Sequence, residues 1–205
     1  MLLSFKEGEE ILKKYQIPLV RSFLVNKKEE LPQIIEEIGF PLVMKIDSGE
    51  IFHRTEKGGV ITGIKSEKEA LEGLERLLSI EKVQGVIVQK EVSGVEIVIG
   101  GKRDSVFGPV VMVGLGGILV ELLKETVFRL APLEEAEALD MIEEMRGNEI
   151  LDGFRGKERV ERKDLANLLY KTSLLIKEEE DIKELDFNPV IAGKEILVCD
   201  LKIVK

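Results

Sequence analysis

Residues 39–60 read GFPLVMKIDSGEIFHRTEKGGV, and this stretch decides the fold. Pro41 to Ile46 has the composition of a buried strand: Leu42, Val43, Met44 and Ile46 are interrupted only by Lys45, and Gly39 and Pro41 punctuate its start. A lysine in such a strand needs a reason. The polar loop beyond it carries the single histidine of the chain, His53, followed by Arg54, Lys57 and the pair Gly58-Gly59. The chain then returns as a second expected strand, Val60 to Ile64. A strand lysine, a basic loop and a glycine pair whose N–H groups can approach an anion form a phosphate grip, and that grip proposes a nucleotide.

Composition sets the bounds around this stretch. A chain of 205 residues buries about 70% of its unfolded surface, enough for one sizeable domain or two lobes. The longest run without a charge, Ser105 to Val120, is broken by Gly108, Pro109, Gly114, Gly116 and Gly117, so no membrane span is expected. Lys6, Glu7, Glu9 and Glu10 interrupt any amino-terminal signal pattern. One cysteine, Cys199, makes no internal disulfide, and a cytoplasmic setting is the expectation. A formal net charge of −9 argues against nucleic acid as a partner, leaving small ligands to explain the local basic spots.

In order, the chain opens with a capping box, Ser4-Phe5-Lys6-Glu7, before a helix carrying Phe5, Ile11, Leu12 and Tyr15 and ending at Ile17-Pro18. A strand is expected at Ser22 to Val25, then a helix with Leu31, Ile34, Ile35 and Ile38 on one stripe and Pro32 in its first turn. Ser66 with Glu69 caps a third helix, whose stripe is Leu71, Leu74, Leu77 and Leu78. Gly85 to Gln89 and Val95 to Ile99 read as strands joined by a hinge, so residues 18–88 form a smaller lobe and 89–205 a larger one. The amino-terminal helix, residues 4–15, is expected to pack on the larger lobe.

In that lobe follow a strand Pro109 to Val113, a turn Gly114-Leu115-Gly116-Gly117, an apolar stretch to Leu123, and a strand near Val127 to Leu130. Two helices come next, one with Ala138, Met141, Ile142 and Met145, the other with Leu165, Leu168, Leu169, Thr172, Leu175 and Ile176; Gly153-Phe154-Arg155-Gly156 lies between them.

A closing hairpin, Ile182 to Val190 and Glu195 to Val204 with its turn at Gly193-Lys194, carries the second constellation. Asp186 and Asn188 share one strand face, and the turn returns Asp200 to within about one residue of Asn188. An Asn and an Asp, completed by waters and phosphate oxygens, suit magnesium. Each feature also has a plainer reading. Asn-Pro starts turns, His53 belongs in solvent, Lys45 snorkels from a strand end, and Glu96 sits on a wet strand face. With no second histidine and no cysteine nearby, His53 does not suggest a His/Cys metal site. Gly114, Gly116 and Gly117 match neither the dinucleotide fingerprint nor the Walker A spacing. The lysine, the glycine loop and the acidic hairpin weigh more together than singly.

Six islands in order then carry a resemblance: Ile51-Phe-His53-Arg-Thr-Glu-Lys-Gly58-Gly59-Val60, Gly94-Val-Glu96-Ile-Val-Ile-Gly100, Asp104-Ser-Val-Phe-Gly-Pro109, Gly114-Leu-Gly-Gly117, Gly153-Phe-Arg-Gly156 and Glu184-Leu-Asp186-Phe-Asn188-Pro189. Over almost its whole length the chain resembles the beta subunits of archaeal ADP-forming acetyl-CoA synthetases, relatives of the succinyl-CoA synthetase beta subunit. The resemblance implies a single ATP-grasp unit, an α/β (α+β) fold whose two lobes hold ATP or ADP between them. It implies the reaction of acyl-CoA, ADP and phosphate to acid, CoA and ATP through a phosphohistidine.

By the same resemblance Lys45, Gly58 and Gly59 bind nucleotide phosphate, Gln89 and Glu96 contact the adenosine, and Asn188 and Asp200 hold Mg2+. Asp186 faces the phosphohistidine of the partner, and His53 relays the phosphoryl group to ADP. The implied partner is an alpha subunit carrying the CoA site and the principal phosphohistidine, in a heterotetramer. The chain departs from the family pattern at Arg54, where lysine is usual, at Glu56, where aspartate is usual, and at Gln16, where glycine commonly precedes Ile-Pro. Two other classes fit part of the pattern: a self-contained ATP-grasp carboxylate ligase, which has no use for His53, and a non-catalytic ATP-grasp interaction module.

Overall fold

The computed structural model describes residues 1–48, 58–117, 126–153 and 158–205. They form two units, one of Val20–Val92 and one of Met1–Leu19 with Ser93–Lys205.

In the first unit, strands β1 (Ser22–Val25), β2 (Leu42–Asp47), β3 (Val60–Ile64) and β4 (Gly85–Lys90) make a four-stranded sheet in the order β1-β4-β2-β3, with every named pairing antiparallel. Strand periodicity divides its faces. Leu42, Met44 and Ile46 of β2 pack with Val86 and Val88 of β4 and Ile64 of β3. Leu31 and Ile34 of helix α2 (Leu31–Ile38) and Ala70, Leu74 and Leu77 of helix α3 (Glu67–Leu78) close that core. Pro32 lies in the first turn of α2, where its missing N–H has no helical partner to lose. The Ser66 hydroxyl caps α3 by accepting from the Glu69 amide at 3.3 Å. Val43, Lys45 and Asp47 point to the opposite face.

The second unit is built on a six-stranded sheet: β5 (Val95–Asp104), β6 (Gly108–Leu115), β7 (Val127–Leu130), β8 (Glu184–Ala192), β9 (Ile196–Val198) and β10 (Leu201–Val204). The order is β10-β8-β5-β6-β7, and β9 also pairs with β8. Helix α4 (Glu135–Glu144) packs against helix α5 (Arg162–Glu178), and α5 lies on β5, β6 and β8. Ile97, Ile99, Val111, Val113, Leu185 and Phe187 are buried in this core.

Helix α1 (Phe5–Lys14) begins with the expected capping box: the Ser4 amide donates to the Glu7 carboxylate at 2.8 Å, and the Glu7 amide to the Ser4 hydroxyl at 3.4 Å. It packs on β10, with Gly8 so close to Leu201 that a Cβ would stand 2.3 Å from a leucine methyl. Among the described residues, no helix is long and apolar enough to cross a membrane.

Several boundaries differ from expectation: the closing strand expected from Glu195 to Val204 is two, β9 and β10, and its partner β8 runs from Glu184 to Ala192. β5 runs to Asp104 rather than Ile99, because its second half, GGKRD, is held by pairing with β6 and β8 and not by an apolar pattern. Gly114 and Leu115 belong to β6, so the turn starts at Gly116. The expected apolar stretch beyond Gly117, and most of Gly153-Phe-Arg-Gly156, lie outside the described residues.

Candidate functional site

The chemistry of the larger unit gathers on the face of its sheet opposite α5. Pairing of β8 with β10 sets Phe187 against Leu201 and Asp186 against Lys202, and pairing with β9 sets Val190 against Val198. The same register carries through the interval, so Asn188 stands directly opposite Asp200, and the Asn188 amide donates to the Asp200 carbonyl at 3.2 Å. Pro189 has no N–H to give, and β8 shifts register against β5 at this point, between Ile97 and Ile99. The Leu201 amide donates to Asp200 Oδ1 at 3.0 Å, which orients the carboxylate. Two oxygen-bearing side chains, Asn188 and Asp200, therefore meet on one rung, with Asp186 one strand period away.

Burial holds the Asp186 carboxyl above the ordinary carboxylate range; Lys202 across the strand opposes this, and Asp200 and Glu184 reinforce it. Gly100 of β5 pairs with Asp186 on one side and Met112 of β6 on the other. Asp186, Asn188, Gly100, Lys102, Met112 and Phe128 are among the residues lining a hollow of about 350 Å³ on this face. Among the described residues, no group of three or more His, Cys, Asp or Glu side chains could hold a metal. On this rung Asn188 and Asp200 bring two oxygen donors together, the donor chemistry of a hard cation completed by phosphate and water.

Glu96 lies on the same face of β5, exposed, near its start. Gly116 and Gly117 fold back over it: the Gly116 amide donates to the Glu96 carbonyl at 2.6 Å, and a Cβ on Gly117 would fall 2.5 Å from Glu96 Oε2. Gly117 has φ +61°. The left-handed backbone favours glycine there, and any side chain would have to displace the Glu96 carboxylate.

The smaller unit places Lys45 in the middle of its sheet, between Ile87 of β4 and Val60 of β3, on the face away from α2 and α3. It is 6% exposed, and Asp47 on the same face is 5% exposed. An exposed snorkelling lysine is excluded. Gln89 is also buried on this face, and its amide donates to Ser22 Oγ at 2.8 Å, which fixes the side chain. The glycine pair is anchored at both residues: the Ile46 amide donates to the Gly59 carbonyl at 2.9 Å, and Arg76 Nη2 donates to the Gly58 carbonyl at 3.1 Å. Gly58 has φ +65°. His53, with Arg54 and Glu56, lies outside the described residues.

Sequence reading quoted Gly100 only as the end of a motif and passed over Lys102 and Lys202. Lys202 was within reach of a period-two reading from Asp200; Gly100 and Lys102 were hidden by ending β5 too early.

The chain matches the ATP-grasp domain family over residues 1–204. It is 40% identical over 201 residues to the beta subunit of acetate–CoA ligase (ADP-forming) I of Pyrococcus furiosus, covering 94% of this chain and 87% of that one. To acetate–CoA ligase (ADP-forming) II of Archaeoglobus fulgidus it is 38% identical, covering 100% of this chain and 30% of that relative. The chain therefore spans under a third of the length of some relatives and most of the length of the beta subunits. Among solved structures it superposes on the dinucleotide-forming acetyl-coenzyme A synthetase 1 of Ca. Korarchaeum cryptofilum, in complex with coenzyme A, Ca-AMPCP and HgCl+. The TM-score is 0.92 at 38% identity, covering 99% of this chain and 93% of that one. The chain belongs to the ATP-grasp family, in the group that includes the beta subunits of ADP-forming acetate–CoA ligases.

Proposed function

We propose that this chain is the nucleotide-binding beta subunit of a cytoplasmic ADP-forming acyl-CoA synthetase, working with an alpha subunit in a heterotetramer. The overall reaction converts acyl-CoA, ADP and phosphate into acid, CoA and ATP. The observation that carries the reading is the Asn188–Asp200 rung with Asp186 beside it, in a chain 40% identical to a beta subunit of an ADP-forming acetate–CoA ligase.

In this reading Lys45 neutralises phosphate charge, Gly58 and Gly59 hold the backbone that grips it, and Gln89 and Glu96 contact the adenosine. Burial favours Lys45 for that task, because a cation away from bulk water acts on a phosphate through a lower dielectric. Asn188 and Asp200 would hold Mg2+, which supplies electrostatic neutralisation of the phosphate oxygens. Asp186 faces the phosphohistidine of the alpha subunit and orients its ring through a hydrogen bond to the imidazole N–H.

His53 then accepts the phosphoryl group and passes it on. At the first transfer the donor's phosphorus–nitrogen bond breaks as one to a His53 ring nitrogen forms, and the electron pair returns to the donor imidazole. At the second, the His53 bond breaks as a β-phosphate oxygen of ADP bonds to phosphorus. A neutral imidazole near pH 7 presents the lone pair this requires.

The test is trapping. With an alpha subunit, acetyl-CoA and labelled phosphate but no ADP, acid-labile label should accumulate on this chain and vanish in His53→Ala. Label retained on the chain in that variant would remove His53 from the path.

A further inference from the structure

Strand β2 carries two charged residues on one buried face. Lys45 and Asp47 are two apart, so both point away from α2 and α3, and both are buried. Two strand steps separate their Cβ atoms by about 7 Å, a gap that the four-carbon stem of a lysine spans. Their neighbours on this face do not titrate. Ile87 of β4 and Val60 of β3 flank Lys45, and Gly85 of β4 stands opposite Asp47. Gln89 and Val43 lie one period back, and β1 adds Ser22 and Leu24. Asp47 is the one acidic residue in the four strands, and Lys90, their other base, pairs with Leu42 on the helix side. Beside Asp47 a second polar group takes the place of a missing side chain: a Cβ on Gly85 would fall 2.5 Å from Asn26 Oδ1. Glu50, His53, Arg54, Glu56 and Lys57, which follow in sequence, lie outside the described residues.

Burial penalises both charges. Desolvation drives a lysine to give up its proton, and a neutral Lys45 would have nothing to offer a phosphate. An acid so near a phosphate grip is equally out of place, because it repels the nucleotide. The two anomalies account for each other. Resting on the phosphate role proposed above for Lys45, we infer that Asp47 is its positioning residue, keeping the Lys45 ammonium charged and fixed in the buried face before nucleotide arrives. The ordering of the lysine is then completed in folding, and the incoming phosphate meets a cation already in place.

Asp47→Asn keeps the shape of the side chain and removes its charge. Affinity for ADP with magnesium is measured across pH in wild type, Asp47→Asn, Asp47→Glu and Lys45→Gln. Dividing each variant's affinity by that of wild type at the same pH cancels the titration of ADP itself. For Asp47→Asn this ratio should fall by roughly tenfold or more between about pH 6 and about pH 9, as the desolvated Lys45 loses its proton, and Asp47→Glu should restore a level ratio. A ratio for Asp47→Asn that does not change with pH would overturn the inference. Uniformly weaker binding would make Asp47 a packing residue, and uniformly tighter binding would make it a bystander that repels the nucleotide. Should Asp47→Asn fail to fold, wild type decides by NMR of isotope-labelled lysine side chains, with the Lys45 amine signal identified by its absence in Lys45→Gln. That signal should remain an ammonium to about pH 10, and a neutral amine at about pH 8 would overturn the inference. ADP binding by Lys45→Gln as tight as wild type would remove the phosphate role of Lys45 and with it this inference, a failure distinct from a level pH ratio.

Discussion

Gln16 carries a backbone conformation that its side chain does not favour. Its φ is +53°, at the residue after the cap of α1, and the Ile17 amide donates to the Leu12 carbonyl at 2.9 Å while the Gln16 amide donates to that of Lys13 at 3.1 Å. This is the Schellman ending, whose left-handed residue is usually glycine. The departure from Gly-Ile-Pro noticed in the sequence therefore has a physical cost. Replacing the side chain relieves a left-handed penalty of about 1–2 kcal/mol, offset in part by about 0.5–1 kcal/mol of glycine backbone entropy. Gln16→Gly should thus stabilise the chain by about 0.5–1 kcal/mol, measured by chemical denaturation.

Asp186 gives the opposite kind of prediction. Its folded carboxyl titrates above its unfolded value, so the folded state holds the proton longer, and stability falls as pH rises from the unfolded value through the folded one. Asp186→Asn should raise the melting temperature of metal-free protein at pH 7. The gain should shrink as pH is lowered towards the ordinary carboxylate value, while phosphoryl transfer is lost. Of the residues singled out from sequence, Lys45 was legible as an anomaly in an apolar strand, but its central place in the sheet and its burial could not be read from one strand.

At the level of elements, local chemistry was easiest to read where it is self-contained. The capping residues Ser4 and Ser66 and the stripes of α1, α2 and α3 come straight from spacing. β5 was truncated in the reading because Gly100-Gly101-Lys102-Arg103 carries no alternation, and its neighbours β6 and β8 make it a strand. Its extension has work to do. Arg103 turns its guanidinium to the end of α5, donating to the carbonyls of Ile176 at 2.6 Å and Glu179 at 3.3 Å, and through Nε to that of Ile182 at 3.4 Å. Charged hydrogen bonds of this kind to a helix end lead us to expect a loss of about 2 kcal/mol in Arg103→Ala, visible as a lower denaturation midpoint. The β8–β10 rung was legible because period two and one tight turn suffice to bring Asn188 to Asp200. If that rung holds magnesium, Asp200→Ala should weaken nucleotide binding strongly in magnesium and little in chelator. Equal loss under both conditions would assign Asp200 to folding.

For the whole molecule, the sequence motifs and the fold point to the same ATP-grasp family. The hollow that Met112, Phe128 and Asp186 share could not be read from sequence, since it depends on which strands neighbour β5. The chain provides a strand lysine, one histidine and a two-donor rung, but no glycine-rich dinucleotide fingerprint suited to CoA and no second histidine. If the relay proposed above has its other end on another polypeptide, the chain should not turn over by itself. The most direct measurement is ATP formation from acetyl-CoA, ADP and phosphate by the purified chain, with and without an alpha-type subunit. The account predicts ADP binding but no ATP formation by the chain alone, and turnover once the alpha subunit is added. Sustained ATP formation by the isolated chain would contradict it.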